Sequence, residues 1–134
     1  MRKILIDTSA YSSLLRGSTE VLEALERADL VYLSIFVLAE LYVGFKGGSK
    51  EAANKRLLGR FLARPTVRIL HATEETADVF AVIKCALKQA GTPIPLNDVW
   101  IAAHAVETGS VLITFDSHFT KVSGLRLWDG AARE

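Results

Sequence analysis

Apolar residues fall along this chain in two patterns, short solid runs and longer stretches with helical spacing. Residues 3 to 7 carry the run Ile4-Leu5-Ile6 and read as a short buried strand. Asp7-Thr8-Ser9 follows as a strand-to-helix turn whose side chains suit a helix cap. The helix it opens turns Ala10, Tyr11, Leu14 and Leu15 inward and stops at Gly17. A second helix, 18 to 28, is amphipathic through Val21, Leu22, Leu25 and Ala28. The β-like run 30 to 33 leads to Ser34, which caps a helix to Lys46 that is apolar nearly all round and is expected to be largely buried. Gly47-Gly48 ends it.

The segment 49 to 63 is a helix with Leu57, Leu58, Phe61 and Leu62 on one face and Arg56, Arg60 and Arg64 at spacing four on the other. Pro65 breaks it, 67 to 70 is a strand, and 73 to 90 is a long helix with Gly91 as its stop. Pro93 and Pro95 mark a loop, and Asn97 can cap a helix over 98 to 108. The run 111 to 115 is the most apolar strand, followed by a turn at Asp116-Ser117. Strands alternating with helices predict a three-layer α/β domain with a short, mostly parallel sheet.

Composition narrows the class. The 134 residues suit one domain over 1–134, without repeat or linker, and half of them are apolar. No apolar stretch approaches the roughly 20 residues of a membrane helix, and Asp7 ends the first apolar run too early for a signal peptide. A cytoplasmic protein with no membrane partner is expected. The single cysteine, Cys85, cannot form an internal disulfide and falls in a helical apolar pattern, so it reads as a small buried hydrophobe. Net charge is +1, unevenly spread: Lys46, Lys50, Lys55, Arg56, Arg60, Arg64 and Arg68 face only Glu51 between Glu40 and Glu74. That polarity is either a solvated helix face or a surface for an acidic partner.

Four acids break the pattern. Asp7 and Asp116 close apolar runs, Asp98 opens one, and Glu40 interrupts the most apolar helix. A buried carboxylate is costly unless paired or bound to a metal, so the four point to one shared cation site. Each also has an ordinary reading: Asp7 as a helix cap, Asp98 as a charge favoured at a helix N-terminus, Asp116 as a turn former, Glu40 as half of an ion pair. Ligands bind beyond the carboxyl ends of parallel strands, where Asp7 and Asp116 lie. The order of residues leaves open whether Asp98 joins them or lies at the opposite edge. Hard oxygen donors without a His or Cys cluster favour Mg²⁺ or Mn²⁺ over Zn²⁺. Carboxylate-held magnesium suits phosphodiester hydrolysis, and no P-loop or kinase glycine pattern is present. His104 sits on an apolar helix as a core or interface residue. His118, close to Asp116, is a candidate substrate contact.

With these residues in place the chain resembles the PIN-domain ribonucleases, and among them the VapC-type toxins. The matching elements are Ile6-Asp7-Thr8-Ser9, Ser34 with Glu40-Leu41, Asp98 with Ile101-Ala102-Ala103, and Thr114-Phe115-Asp116 with Phe119. The resemblance implies an α/β/α PIN-like fold and Mg²⁺-dependent endoribonuclease activity, Mn²⁺ substituting. It implies Asp7, Glu40, Asp98 and Asp116 as metal-site and catalytic acids, with Thr114 and Ser9 as nearby hydroxyls. It also implies a homodimer held inactive by a VapB-like antitoxin, in a larger toxin–antitoxin assembly. Some relatives carry a further acid where this chain has His118. Arg56, Arg60 and Arg64 are then candidates for RNA-backbone contacts. Tyr11, Trp100 and Trp128 read as packing residues rather than base platforms.

Two other readings remain at this stage. A PIN-like module could hold RNA or a protein without cutting. A phosphatase with Asp7 as nucleophile is disfavoured, because Ser9 stands where such enzymes want a second aspartate.

Overall fold

Five parallel strands form the centre of the molecule, in the spatial order β3-β2-β1-β4-β5. They are β1 (Lys3–Ile6), β2 (Leu30–Ser34), β3 (Val67–Leu70), β4 (Val111–Ile113) and β5 (Arg126–Leu127). The computed structural model describes residues 2–129; the ends of the expected 1–134 unit, residue 1 and residues 130–134, lie outside the described residues. Helices α1 (Thr8–Leu15) and α2 (Thr19–Arg27) connect β1 to β2, and α3 (Ile35–Lys46) and α4 (Glu51–Leu62) connect β2 to β3. Helices α5 (Glu74–Ala90) and α6 (Leu96–Thr108) lead on to β4, and a 3₁₀ helix, Ser117–Lys121, precedes β5. This is the α/β architecture that the alternation of runs implies.

Solid apolar runs became the inner strands because each is covered on both faces. Leu5, Ile6, Leu33, Leu112 and Ile113 are all buried, and full burial of such a side chain stabilises by about 1.5–3 kcal/mol. The register sets Ile6 beside Leu33 on one side and Ile113 on the other, so three strands end together. The strand order runs outward in both directions from β1. The carboxyl ends of β1 and β4 lie side by side at the reversal point, the place where a crevice in such sheets binds ligands.

The structure corrects four local expectations. Helix α3 is not buried all round: Val37, Leu38 and Leu41 face the core, whereas Ala39, Tyr42 and Val43 are exposed. It packs on β2, α1, α4 and α6. Cys85 is exposed, since α5 turns Thr76, Ile83 and Leu87 inward instead. Leu15 and Leu22, expected inward, are exposed as well. Helix α6 begins at Leu96 after Pro95, and the Asn97 amide donates to the Phe36 carbonyl at 3.5 Å rather than capping the helix.

The aromatic residues pack as expected. Tyr11 meets Phe61 edge-on at 5.4 Å, and Trp100 stacks between Phe80 at 3.9 Å and Phe36 at 5.0 Å, tying α5, α6 and α3 together. Trp128 meets Phe115 edge-on. Among the described residues no helix is long and apolar enough to cross a membrane.

Candidate metal centre

Asp7 sits directly after β1 and is the N-cap of α1, where its Oδ1 accepts the Ala10 N–H at 2.9 Å. The capping role and a site role therefore coincide in one residue. Ser9 Oγ donates to the same oxygen at 2.7 Å, and Thr114 Oγ1 donates to Oδ2. Asp7 is buried, and burial pushes its carboxyl up from the ordinary range. The bonds from Thr114, Ala10 and Ser9 pull it back, and the nearby Asp116 charge adds to the rise. Three donors thus fix this carboxylate in one orientation.

Strand β4 stops at Ile113, two residues earlier than its apolar run, and Thr114 explains why. Its buried hydroxyl bonds Asp7 and accepts the Asp116 N–H at 2.9 Å, which bends the chain out of the sheet. Ser9 Oγ accepts the Phe115 N–H at 3.0 Å from the other side. Asp116 then caps the 3₁₀ helix, its Oδ1 accepting the His118 N–H at 2.9 Å.

The open question about Asp98 is resolved by α6, whose first turn lies at the same sheet edge as the other acids. His118 Nδ1 is 3.1 Å from Asp98 Oδ2 and 3.1 Å from Asp116 Oδ1. Asp98, Asp116 and His118 offer donor atoms that all lie within 4.8 Å of one another. Burial raises the Asp98 carboxyl; His118 opposes the rise, and the charges of Asp116 and Glu40 add to it. Glu40 stands half-buried beside this group, and Thr8 Oγ1 donates to its Oε1 at 2.6 Å. Asp7 and Glu40 flank the tight group and supply none of its three atoms.

The four acids spread over the chain therefore gather at one crevice. The charge of Asp116 raises the Asp7 and Asp98 carboxyls and that of Glu40 adds to the rise at Asp98, the state that a divalent ion relieves. Two carboxylates and an imidazole within ligand range fit such an ion, and two further carboxylates lie at its edge.

The family model of the PIN domain matches residues 4–125. The chain belongs to the PIN-domain family, in its VapC branch. Ribonuclease VapC2 of Haemophilus influenzae is 32% identical over 129 residues, which cover 94% of this chain and 96% of that protein. Ribonuclease VapC2 of Rickettsia felis is 31% identical over 111 residues, 81% of each. The solved structure of VapBC-1 from nontypeable Haemophilus influenzae has a TM-score of 0.84 at 25% identity, covering 94% of this chain and 96% of that one.

In this PIN domain the basic segment lies on α4, beside the helix that carries Glu40. Helix α4 packs on α3 and on β3, the sheet edge two strands from β1. Arg56 and Arg60 are exposed on it; Arg64 is exposed too, but lies beyond the helix end at Leu62. Glu51 is already shared by Lys46 at 3.1 Å and Lys55 at 3.7 Å. Arg68 donates to the Pro65 and Val67 carbonyls at 2.6 and 2.9 Å. Arg56, Arg60 and Arg64 form no ion pair among the described residues.

His118 is the residue whose contact with Asp98 the sequence did not show. Its proximity to Asp116 was visible, but the fold of the 3₁₀ helix over the start of α6 was not.

Proposed function

We propose that this protein is a divalent-metal-dependent endoribonuclease, the toxin of a VapBC-type pair, which hydrolyses RNA phosphodiester bonds. The observation that carries the reading is the gathering of Asp7, Glu40, Asp98 and Asp116 at one crevice in a chain whose relatives are named Ribonuclease VapC.

In this reading Asp98 and Asp116 hold the ion, with Asp7 and Glu40 completing the acidic surround. A divalent ion bound there, Mg²⁺ or Mn²⁺, supplies Lewis-acid polarisation of a phosphate oxygen and a more acidic water. Thr114 and Ser9 keep Asp7 in register with Asp116. Thr8 holds one oxygen of Glu40 and leaves the other free to take a proton from the attacking water. The exposed Arg56, Arg60 and Arg64 attract and align the RNA backbone from the neighbouring surface.

The partner in this reading is a VapB-like antitoxin, as the similar VapBC-5 of Mycobacterium tuberculosis is a member of the VapBC family of toxin–antitoxin systems. The exposed Tyr42 and Val43 on α3 give such a protein, or a second copy in a homodimer, apolar surface to cover. The cytoplasm is the compartment where RNA and antitoxin are both available.

The test is RNA cleavage by antitoxin-free protein with Mg²⁺ or Mn²⁺. EDTA, Asp7→Asn and Asp98→Asn are each expected to abolish it. Cleavage that survives in those variants would refute the assignment of the acids, and RNA binding without cleavage would favour a non-cutting module.

A further inference from the structure

We propose that His118 is itself a ligand of the divalent ion, through Nδ1, and that it tilts this site toward Mn²⁺ over Mg²⁺. The inference rests on the metal centre proposed above and goes beyond its acids. Its first support is geometric. Two ligands side by side on an octahedron with bonds of about 2.1 Å stand about 3.0 Å apart. His118 Nδ1 lies 3.1 Å from an oxygen of Asp98 and 3.1 Å from an oxygen of Asp116. One nitrogen thus sits at an octahedral edge length from both acids at once.

The second support is how the ring is held. The His118 N–H is bonded to Asp116 Oδ1, and the next residue, Phe119, is buried in the core. The 3₁₀ helix packs against α6, so the backbone that carries the imidazole is fixed relative to Asp98. Asp7, by contrast, has both carboxylate oxygens engaged by Ser9, Ala10 and Thr114. The group with donor atoms in closest mutual reach is the one that includes the nitrogen.

The selectivity follows from donor chemistry. Magnesium holds almost wholly to oxygen, whereas Mn²⁺, although it too favours carboxylates, is a first-row transition ion and takes an imidazole nitrogen at less cost than Mg²⁺. A rival role fits the same distances: His118 could act as a built-in cation that neutralises Asp98 and Asp116 and competes with the metal. The two roles predict opposite signs when the imidazole is removed.

The experiment uses the full chain and Mn²⁺ as the probe. Electron spin echo envelope modulation on the Mn²⁺-loaded protein reads directly bound nitrogen, and a titration followed by electron paramagnetic resonance reads affinity. The expected result is nitrogen modulation in the wild type that disappears in His118→Ala and His118→Asp. Mn²⁺ affinity should fall about 10- to 100-fold in His118→Ala, and His118→Asp should lower the ratio of Mn²⁺ to Mg²⁺ affinity. Bound Mn²⁺ without nitrogen modulation, modulation that survives His118→Ala, or tighter binding in His118→Ala would each overturn the role of His118 while leaving the acidic centre standing. No Mn²⁺ uptake by the wild type would overturn both. The wild-type spectrum needs no variant to fold.

Discussion

Ser34 Oγ lies 2.8 Å from His104 Nδ1, a bond between residues 70 apart in sequence. It joins the start of α3, the helix of Glu40, to α6, the helix of Asp98. The other ring nitrogen, Nε2, is 3.3 Å from the His71 carbonyl, which can only accept, so Nε2 carries the proton. Nδ1 then accepts from the Ser34 hydroxyl, and Ser34 Oγ accepts the Phe36 N–H at 3.1 Å. A neutral imidazole satisfies every link of this chain, including the Ser34 hydroxyl proton.

Burial lowers the pKa of His104 from its ordinary 6.5, with the His71 carbonyl bond and Glu107 opposing and the His71 ring adding. A base depressed in the folded state contributes stability that is fully present above its unfolded pKa and lost as pH falls below it. Melting temperature should therefore drop between about pH 6.5 and the lowered folded value. Asp7 and Asp98, raised on folding, act with opposite sign: their contribution is present below the unfolded carboxylate pKa and lost as pH rises through the folded one. The difference between wild type and His104→Gln isolates the histidine, and a difference that does not change across pH 7.5 to 5 would refute the assignment.

Thr114→Val removes one hydroxyl without changing shape, and it should harm the site more than Ser9→Ala. Thr114 is the donor to Asp7 Oδ2, whereas Oδ1 keeps the Ala10 N–H when Ser9 is lost. Leaving a buried carboxylate oxygen without a donor costs about 1–3 kcal/mol. If Asp7 serves the proposed metal centre, losing its support should lower metal affinity or activity about 10- to 100-fold. Thermal melts and Mn²⁺ titration of the two variants check both numbers; equal effects would mean that the two hydroxyls are interchangeable.

Much of this was legible before folding, for physical reasons that differ by residue. Strands β1 and β4 are covered on both faces and so show as solid apolar runs. Asp7 and Asp116 follow such runs, so the rule that ligands lie beyond strand ends placed them correctly. The side on which Asp98 falls depends on the direction of α6, set by the packing of Trp100 between Phe36 and Phe80, which no local pattern encodes. Strand β5 has two residues, too few to show a period. Cys85 belongs to a stretch with apolar residues on more than one side of α5, so periodicity alone chose the wrong face.

Asp98→Asn should abolish RNA cleavage yet make the metal-free protein more stable. The carboxylate is nearly buried, with 13% of its side chain exposed, beside the charges of Asp116 and Glu40. Neutralising it relieves that repulsion, a gain on the order of 1 kcal/mol, typical where a strained active site is relaxed. The same change should shrink the rise in melting temperature that Mn²⁺ produces. Melts with EDTA and with excess Mn²⁺ give both readings; a variant less stable than wild type in EDTA would mean that the His118 contact outweighs the repulsion.

The role of α4 can be separated from the chemistry by salt. Each phosphate contact on a single strand adds about 0.7 to the slope of log affinity against log salt. Arg56 and Arg60 are exposed one helical turn apart, about 6 Å, so they can meet neighbouring phosphates along one RNA strand. In an Asp98→Asn background, which leaves the RNA intact, Arg56→Gln with Arg60→Gln should weaken binding and reduce the slope by about 1.4. Arg27→Gln serves as the control, because Arg27 on α2 is already paired with Glu23 at 2.6 Å. Its slope should match the parent. An unchanged slope in the double variant would place the RNA path elsewhere, since two lost phosphate contacts cannot be hidden in a salt titration, whereas a weaker affinity alone could arise from any distortion of the helix.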